Sequence, residues 1–218
     1  IHSDRYLETL EKTLAFSGDE ASYFASYKAV QLSKIIDKHI SHKVLDFGCG
    51  VGSISAAIQK LAPNWHLNGF DVSHESLERV PDSLNEKGTF TANTLDLGDD
   101  HDLVFLAGVM HHISPSERTP ALALAAEHLK SGGFFVVFEH NPWNPVTRWV
   151  VDRCPFDENA ILLTPPEIVS FFQTLGLVKI KRQFIVFFPK IAKTLRPLER
   201  WLTWCPLGAQ YLIVGEKT

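Results

Sequence analysis

The stretch VLDFGCGVGS, residues 44–53, decides the fold of this chain. Its first half is a short apolar run that includes an acid, a profile typical of a buried parallel β-strand. Its second half places glycine at positions 48, 50 and 52, and a helical pattern begins at Ser53. Glycine suits such a turn because a side chain would keep a ligand from the backbone, and because the turn demands φ angles that glycine adopts cheaply. The stretch therefore predicts a strand, a ligand-binding turn, and a helix whose free N–H groups face the ligand.

The spacing of these glycines distinguishes between nucleotide ligands. A dinucleotide site has the spacing G-x-G-x-x-G, whereas here the glycines alternate and Asp46 stands two positions ahead of them. The pattern D-x-G-x-G-x-G resembles motif I of the class I S-adenosylmethionine (SAM) dependent methyltransferases. In that family the turn packs against the methionine part of a cationic sulfonium cofactor, near which an acid is physically sensible. The alternative is a glycine-rich surface turn that binds nothing.

A second acid supports the same interpretation. Asp71 ends the next predicted strand, about 20 residues beyond the glycines, where nucleotide-binding α/β folds place an acid that accepts two ribose hydroxyls. The alternative role is a helix cap. The family's adenine-contacting acid would fall on Thr94, so the nearby Asp96 and Leu95 take that assignment. The resemblance implies cofactor-binding roles for Asp46, Gly48, Cys49, Gly50, Gly52, Asp71, Val72, Leu95, Asp96 and Ala107.

Composition and charge limit the classes of protein to which the chain can belong. The 218 residues suffice for one domain with a core of its own, and 45% hydrophobic with 21% charged residues indicates a globular chain. A net charge of −4 argues against nucleic acid as a partner. Three widely spaced cysteines argue against a disulfide framework and a structural zinc site and favour a cytoplasmic protein. No apolar run approaches the ~20 residues of a membrane-spanning helix.

The order of predicted elements gives the fold class. Five strands that alternate with helices, followed by two more strands, predict a doubly wound α/β fold with a seven-stranded, mostly parallel sheet and an antiparallel final strand. Residues 1–40 are predicted to form an N-terminal helical cap, and residues 41–218 a SAM-binding methyltransferase domain with a helical insertion at about 189–206. Because the first residue is Ile1, we expect that an N-terminal piece is missing.

Residues 101–113 are predicted to form the next apolar strand. Within it the stretch DLVFLAGVMHHI, residues 102–113, resembles the fourth motif of small-molecule methyltransferases of the ubiquinone-biosynthesis type. Side chains at the carboxyl end of a parallel strand face the ligand crevice. A pair of histidines suggests a metal, but adjacent residues point apart and no further ligand stands at a suitable spacing, so no metal is predicted. One histidine of the pair is expected to face the site, and His111 is the choice.

Polar residues that follow the fifth predicted strand indicate one side of a substrate-binding pocket. His140 is the strongest candidate for a general base and His111 is the second. Arg148 and Arg153 are expected to hold a carboxylate or phosphate of the acceptor, with structural pairing to Glu139, Asp152 or Asp157 as the alternative. The predicted substrate-binding residues are Tyr27, Asn141, Arg148 and Arg153.

These features predict a SAM-dependent methyltransferase that acts on a small or lipid-linked metabolite at oxygen. Two alternatives stay open, a non-catalytic protein that binds SAM or S-adenosylhomocysteine, and a nucleotide-dependent oxidoreductase, against which the glycine spacing speaks. The insertion at 189–206 carries tryptophans and basic residues. It is expected to pack against the domain, to cover the substrate pocket, or to contact a membrane surface peripherally.

Overall fold

The structure is a computed structural model, and it describes residues 21–154 and 157–218. The α-helices are α1 Ala21–Leu32, α2 Ser53–Leu61, α3 His74–Leu77, α4 Asp82–Asn85, α5 Arg118–Glu127, α6 Pro145–Val151 and α7 Pro165–Thr174. The strands are β1 Lys43–Phe47, β2 His66–Phe70, β3 Phe90–Thr91, β4 His101–Ala107, β5 Leu129–His140, β6 Val178–Ile185 and β7 Gln210–Glu216. Three 3₁₀ helices are Thr94–Asp96, Met110–His112 and Lys190–Trp201.

The seven strands form one sheet in the order β3-β2-β1-β4-β5-β7-β6, in which β7 alone is antiparallel to its neighbours. Apolar side chains are buried on both faces. One face packs against Leu32 of α1 and Ile58 of α2, and the other against Leu122 of α5 and Phe172 of α7. The predicted doubly wound sheet with an antiparallel final strand is therefore confirmed.

Strand β4 ends earlier than the sequence predicted. Its apolar run continues to Ile113, but the strand stops at Ala107, and Gly108 follows with a positive φ of 73°. A 3₁₀ helix, Met110–His112, then turns the chain back over the edge of the sheet. The histidine pair consequently lies on a tight helical turn and not on a strand.

The segment predicted as an insertion contains the 3₁₀ helix Lys190–Trp201. The Arg196 guanidinium lies 3.7 Å from the centre of the Tyr23 ring of α1, and Glu199 is buried and accepts from the backbone N–H of Phe187 and of Phe188 at 3.0 Å each. The division at residue 40 stays a prediction, and the predicted helical residues 1–20 lie outside the described part of the chain. Within residues 21–154 and 157–218, no helix combines the length and apolarity needed to cross a membrane.

Candidate active site

A cavity of about 1240 Å³ opens at the carboxyl ends of β1, β2, β4 and β5. This is the edge at which open α/β sheets bind their ligands. The volume exceeds the roughly 300–1,000 Å³ of a typical small-molecule site, so it has room for a cofactor and an acceptor together. Seven of the predicted cofactor residues line it, and these are Asp46, Gly48, Cys49, Gly50, Asp71, Val72 and Ala107.

The three alternating glycines have the backbone conformation that their spacing predicted. Gly48, Gly50 and Gly52 have φ angles of 87°, 53° and 74°. A Cβ atom on Gly48 would lie 2.4 Å from a methyl group of Val109, whereas one on Gly50 would meet nothing within 4 Å. Gly48 is therefore fixed by protein packing, while Gly50 leaves its backbone open to the cavity.

Asp71 holds the glycine turn to the end of β2. Its carboxylate accepts from the backbone N–H of Gly50 at 2.7 Å and from the backbone N–H of Ser73 at 2.9 Å. The helix cap of α3 is made by the Ser73 hydroxyl, which accepts from the N–H of Ser76. Because each carboxylate oxygen keeps a free lone pair, Asp71 can still accept hydroxyl donors from the cavity.

Asp46 is a buried acid beneath the turn. Its carboxylate is 2% exposed and accepts from the Ser55 hydroxyl at 2.8 Å. Burial raises the pKa of Asp46 to about 7, which the Ser55 hydrogen bond only partly opposes. Burial also raises the pKa of the neighbouring Cys49 thiol, so that this cysteine stays protonated. A cation in the cavity would favour the charged form of Asp46.

A second group of polar side chains lies at the other half of the cavity, where His111, His112 and Asp157 line it and Glu139 is buried behind them. Glu139, the penultimate residue of β5, is buried and accepts from the Met110 N–H at 2.8 Å and pairs with His111 Nδ1 at 2.6 Å. The other ring nitrogen of His111 lies 3.4 Å from Asp157, and Nε2 of His112 lies 3.6 Å from the same oxygen. We call these four residues, Glu139, His111, His112 and Asp157, the histidine–carboxylate cluster.

This geometry corrects two expectations about the histidine pair. The rings of His111 and His112 do not point apart, since their centres are 4.1 Å apart, and both line the cavity. Asp157 supplies the carboxylate that sequence spacing did not reveal, because it follows α6 and is brought back by folding. Glu139 and Asp157, considered earlier only as partners for arginines, pair with His111.

The histidines near the cavity differ in their protonation. Burial alone would lower the pKa of His111, but the carboxylates of Glu139 and Asp157 outweigh it and raise that pKa to about 9. Burial, together with the charge of His111, lowers the pKa of His140 to about 4. Their ring centres are 5.1 Å apart. At neutral pH His140 is therefore neutral and able to accept a proton, whereas His111 already holds one.

The remaining predicted site residues lie outside the lining of the cavity. They are Gly52, Leu95, Asp96, Tyr27, Asn141, Arg148 and Arg153. The Asn141 amide is buried and donates to the carbonyls of Pro206 and Gly208, and Arg153 stacks on the Trp149 ring at 4.3 Å. Leu95 is 88% exposed. Their ligand-binding roles stay predictions.

Lys28 of α1 lines the cavity but is not among the predicted site residues. Its ammonium lies 6.0 Å from the centre of the Phe138 ring, and burial lowers its pKa although Glu139 and Asp46 oppose that shift. Sequence reasoning chose Tyr27, the adjacent residue, from the same stretch. Only the packing of α1 on the sheet decides which of two neighbouring side chains faces the cavity.

Comparison with known proteins agrees with this geometry. A family model described as "Methyltransferase domain" matches residues 45–135, which span the glycine turn, Asp71 and the histidine pair. The chain superposes on a SAM-dependent methyltransferase from Archaeoglobus fulgidus with a TM-score of 0.69, at 14% identity over 91% of this chain and 95% of that one. Residues 45–135 of this chain are thus similar to a methyltransferase domain, and the fold is that of a SAM-dependent methyltransferase. The predicted family, enzyme class and SAM cofactor are confirmed.

Two further proteins show how widely this fold is used. A putative O-methyltransferase from Nostoc punctiforme superposes with a TM-score of 0.65, at 22% identity over 90% of this chain and 56% of that one. Ribosomal RNA small subunit methyltransferase C of Haemophilus influenzae (strain PittGG) is 34% identical over 110 residues, which cover 47% of this chain. The match spans about a third of that relative's length, 33%.

The exclusion of nucleic acid as a partner was wrong. Three of the similar curated proteins carry the name of the ribosomal RNA methyltransferase, so an acidic net charge does not exclude an RNA substrate for a domain of this kind. Net charge is a sum over the whole surface, whereas a substrate meets only one face of the domain.

Proposed function

We propose that the protein transfers the methyl group of SAM to an oxygen atom of a small or lipid-linked metabolite. One observation carries the proposal. The glycine turn and a neutral, partly buried His140 line the same cavity, so a cofactor and a base would meet there. SAM supplies an electrophilic methyl group on a sulfonium, and the protein has to position the acceptor, exclude water and take its proton.

The residues present fit that cofactor. Gly50 exposes its backbone to the cavity, Asp71 has free lone pairs for ribose hydroxyls, and Asp46 offers a charge for a cationic methionine part. Val72, which is 82% exposed and lines the cavity, offers an apolar surface beside them. These three kinds of contact match the polar, ionic and apolar parts of SAM.

His140 would act as the general base. A hydroxyl nucleophile must lose its proton as the methyl group arrives, and a base helps only if it is unprotonated beforehand. His140 meets that condition at neutral pH and His111 does not. His111 would instead orient the acceptor or hold its negative charge. The Nostoc protein of the same fold is named a putative O-methyltransferase, and that name agrees with oxygen as the target.

Calorimetric titration of SAM and S-adenosylhomocysteine into the wild type and Asp71→Ala tests the cofactor site. We expect the variant to lose roughly 2 kcal/mol of binding free energy, because charge-assisted hydrogen bonds disappear. Turnover with trial hydroxyl acceptors then separates an enzyme from a non-catalytic binding protein. His140→Ala should abolish turnover and leave SAM affinity unchanged. A wild type that is folded and binds neither ligand would refute the proposal.

A nucleotide in RNA is the second candidate acceptor, because relatives named as ribosomal RNA methyltransferases match the segment that carries the glycine turn. Methyl transfer from labelled SAM to total RNA and to a small-molecule extract, assayed side by side, distinguishes the two. Label that appears in RNA only would decide for this second candidate.

A further inference from the structure

We infer that His111, His112 and Asp157 form a binding site for a divalent transition-metal ion in the acceptor half of the cavity. One ligand atom from each residue lies within 4.8 Å of the others. Nε2 of His111 and Nε2 of His112 stand 3.4 Å and 3.6 Å from Oδ1 of Asp157. Ligand atoms bound to one ion at about 2.1 Å are roughly 3.0–3.4 Å apart when adjacent, so small side-chain shifts complete the site.

Glu139 holds the ring of His111 in the way that carboxylates hold metal-binding histidines. A histidine that binds metal through one ring nitrogen usually donates the other N–H to a carboxylate, which fixes the tautomer and the direction of the ring. Here Nδ1 of His111 faces Oε2 of Glu139 at 2.6 Å, and Glu139 is itself held by the Met110 N–H. Nε2 of His111 is thereby directed to the side of Asp157 and His112, and an ion that binds there would displace the proton that the ring holds in the metal-free protein.

The two segments that carry the ligands are tied together by backbone contacts. The N–H of Ile161 donates to the carbonyl of His111 at 2.9 Å. The Arg118 guanidinium donates to the carbonyls of Ile113 and Ile161, and the Asp157 N–H donates to the carbonyl of Cys154 at 3.0 Å. Asp157 is thus held opposite the histidines before any ion binds, which reduces the ordering cost of binding.

The donor set and the charge indicate the class of ion. Two imidazoles and one carboxylate suit Zn²⁺ or Fe²⁺, whereas Mg²⁺ and Ca²⁺ prefer oxygen ligands alone. The two carboxylates of the cluster would balance the charge of one divalent ion. Because His111, His112 and Asp157 all line the cavity, the remaining coordination positions face the space for the acceptor.

The ion would bind the acceptor through its oxygen and lower the pKa of the hydroxyl. The O–H bond would break, with its proton passing to His140 and its electron pair remaining on the oxygen that is to be methylated. This role rests on the proposed function, whereas the existence of the ion site does not. It also replaces the expectation that the site needs no metal.

The test is titration of Zn²⁺ by calorimetry, and of Co²⁺ by visible absorption, into the protein freed of metal. We expect one ion per chain, and a loss of affinity of at least about 100-fold in His112→Ala and Asp157→Asn. His112 is 47% exposed and asparagine is isosteric with aspartate, so both variants should fold. His74→Ala, at an exposed histidine on α3, is the matched control and should bind like the wild type.

The proposed site would be refuted if His112→Ala and Asp157→Asn bound the metal ion as tightly as the wild type. It would also be refuted if His74→Ala lost metal affinity as well. SAM titration into the same metal-free samples keeps the two proposals separate. Intact SAM binding without specific metal binding removes the ion and leaves the methyltransferase. Specific metal binding without SAM binding removes the methyltransferase proposal and leaves the ion site.

Discussion

The two halves of the cavity are built in different ways. The cofactor half, at the ends of β1 and β2, consists largely of backbone: three glycines with positive φ, held by the Asp71 carboxylate. The acceptor half, at the ends of β4 and β5, consists of titratable side chains that pair with one another. The first half comes from one stretch of the chain, residues 46–72, whereas the second is assembled from segments almost 50 residues apart in the chain, His111 to Asp157. The backbone of the cofactor half selects a ligand by its shape. The side chains of the acceptor half select a ligand by its charge and can exchange a proton with it.

The largest effect is expected at Glu139. Glu139→Gln removes the nearer of the two carboxylates that pair with buried His111, and breaking such a pair typically costs about 3–5 kcal/mol of unfolding free energy. Chemical denaturation at pH 7 measures it. Tyr211→Phe is the control, since it removes one neutral buried hydrogen bond, from the Tyr211 hydroxyl to the Leu163 carbonyl at 2.7 Å, at a cost of about 1 kcal/mol.

If the two halves are independent, Glu139→Gln should still bind SAM with the wild-type affinity at temperatures where it is folded. A parallel loss of SAM binding would show that the histidine–carboxylate cluster supports the glycine turn, and the comparison of the halves would have to be abandoned.

Asp46 gives the cofactor half its pH dependence. Its pKa is raised from 3.8 unfolded to about 7 folded, so the folded state keeps a proton that the unfolded chain releases. Through this group, stability is highest at low pH and falls as the pH rises from about 4 to 7. Asp46→Asn cannot ionise and should therefore be more stable than the wild type at pH 8, by about 4 kcal/mol at 1.36 kcal/mol for each pKa unit, and equally stable at pH 4.

Asp46 should also make the affinity for SAM depend on pH. A cationic ligand favours the ionised carboxylate, so SAM affinity should rise between pH 6 and pH 8 and level off above that. Calorimetry in buffers of different ionisation enthalpy should detect release of the proton. Asp46→Asn should bind more weakly with a flat profile, and a profile that still rises in this variant would exclude Asp46 as the source.

Gly50→Ala separates backbone strain from ligand contact. The substitution should cost about 1–2 kcal/mol of stability because alanine at positive φ is strained. Gly132→Ala, at a φ of 76° and likewise without a neighbour within 4 Å, should cost the same. Only Gly50→Ala should also weaken SAM binding, by about tenfold or more, since its Cβ projects into open space at the turn. Equal SAM affinity in both variants would mean that the cofactor does not approach Gly50.

The smallest effects are expected at Arg148 and Arg153, which are exposed and lie outside the cavity lining. Alanine at either position should change the unfolding free energy by less than about 0.5 kcal/mol. Their predicted role in holding an anionic acceptor would appear as a higher KM with unchanged kcat. Unchanged KM for every acceptor that turns over would remove both residues from the acceptor site.

The sequence by itself determined the fold and most of the cofactor half. Strand β1, the alternating glycines and Asp71 are local features, and their residue types are dictated by backbone geometry that no other residue satisfies cheaply. The same reasoning assigned Leu95 and Asp96 from a third strand that is only two residues long. Both side chains lie outside the cavity lining, and their adenine-contacting role stays a prediction. It selected Tyr27, whose role stays a prediction, and did not find that Lys28 lines the cavity, because the direction of a helical side chain depends on how the helix docks.

Only the tertiary structure decided the acceptor half. Sequence reasoning placed the histidine pair on a strand, where neighbours point apart, but the positive φ of Gly108 ends β4 and the 3₁₀ turn brings both rings to one side. Asp157 reaches those rings from beyond α6. Protonation states of His111 and His140 then follow from burial and from charges that are distant in sequence. Electrostatic interactions act through space, so a sequence pattern that is local along the chain cannot encode them.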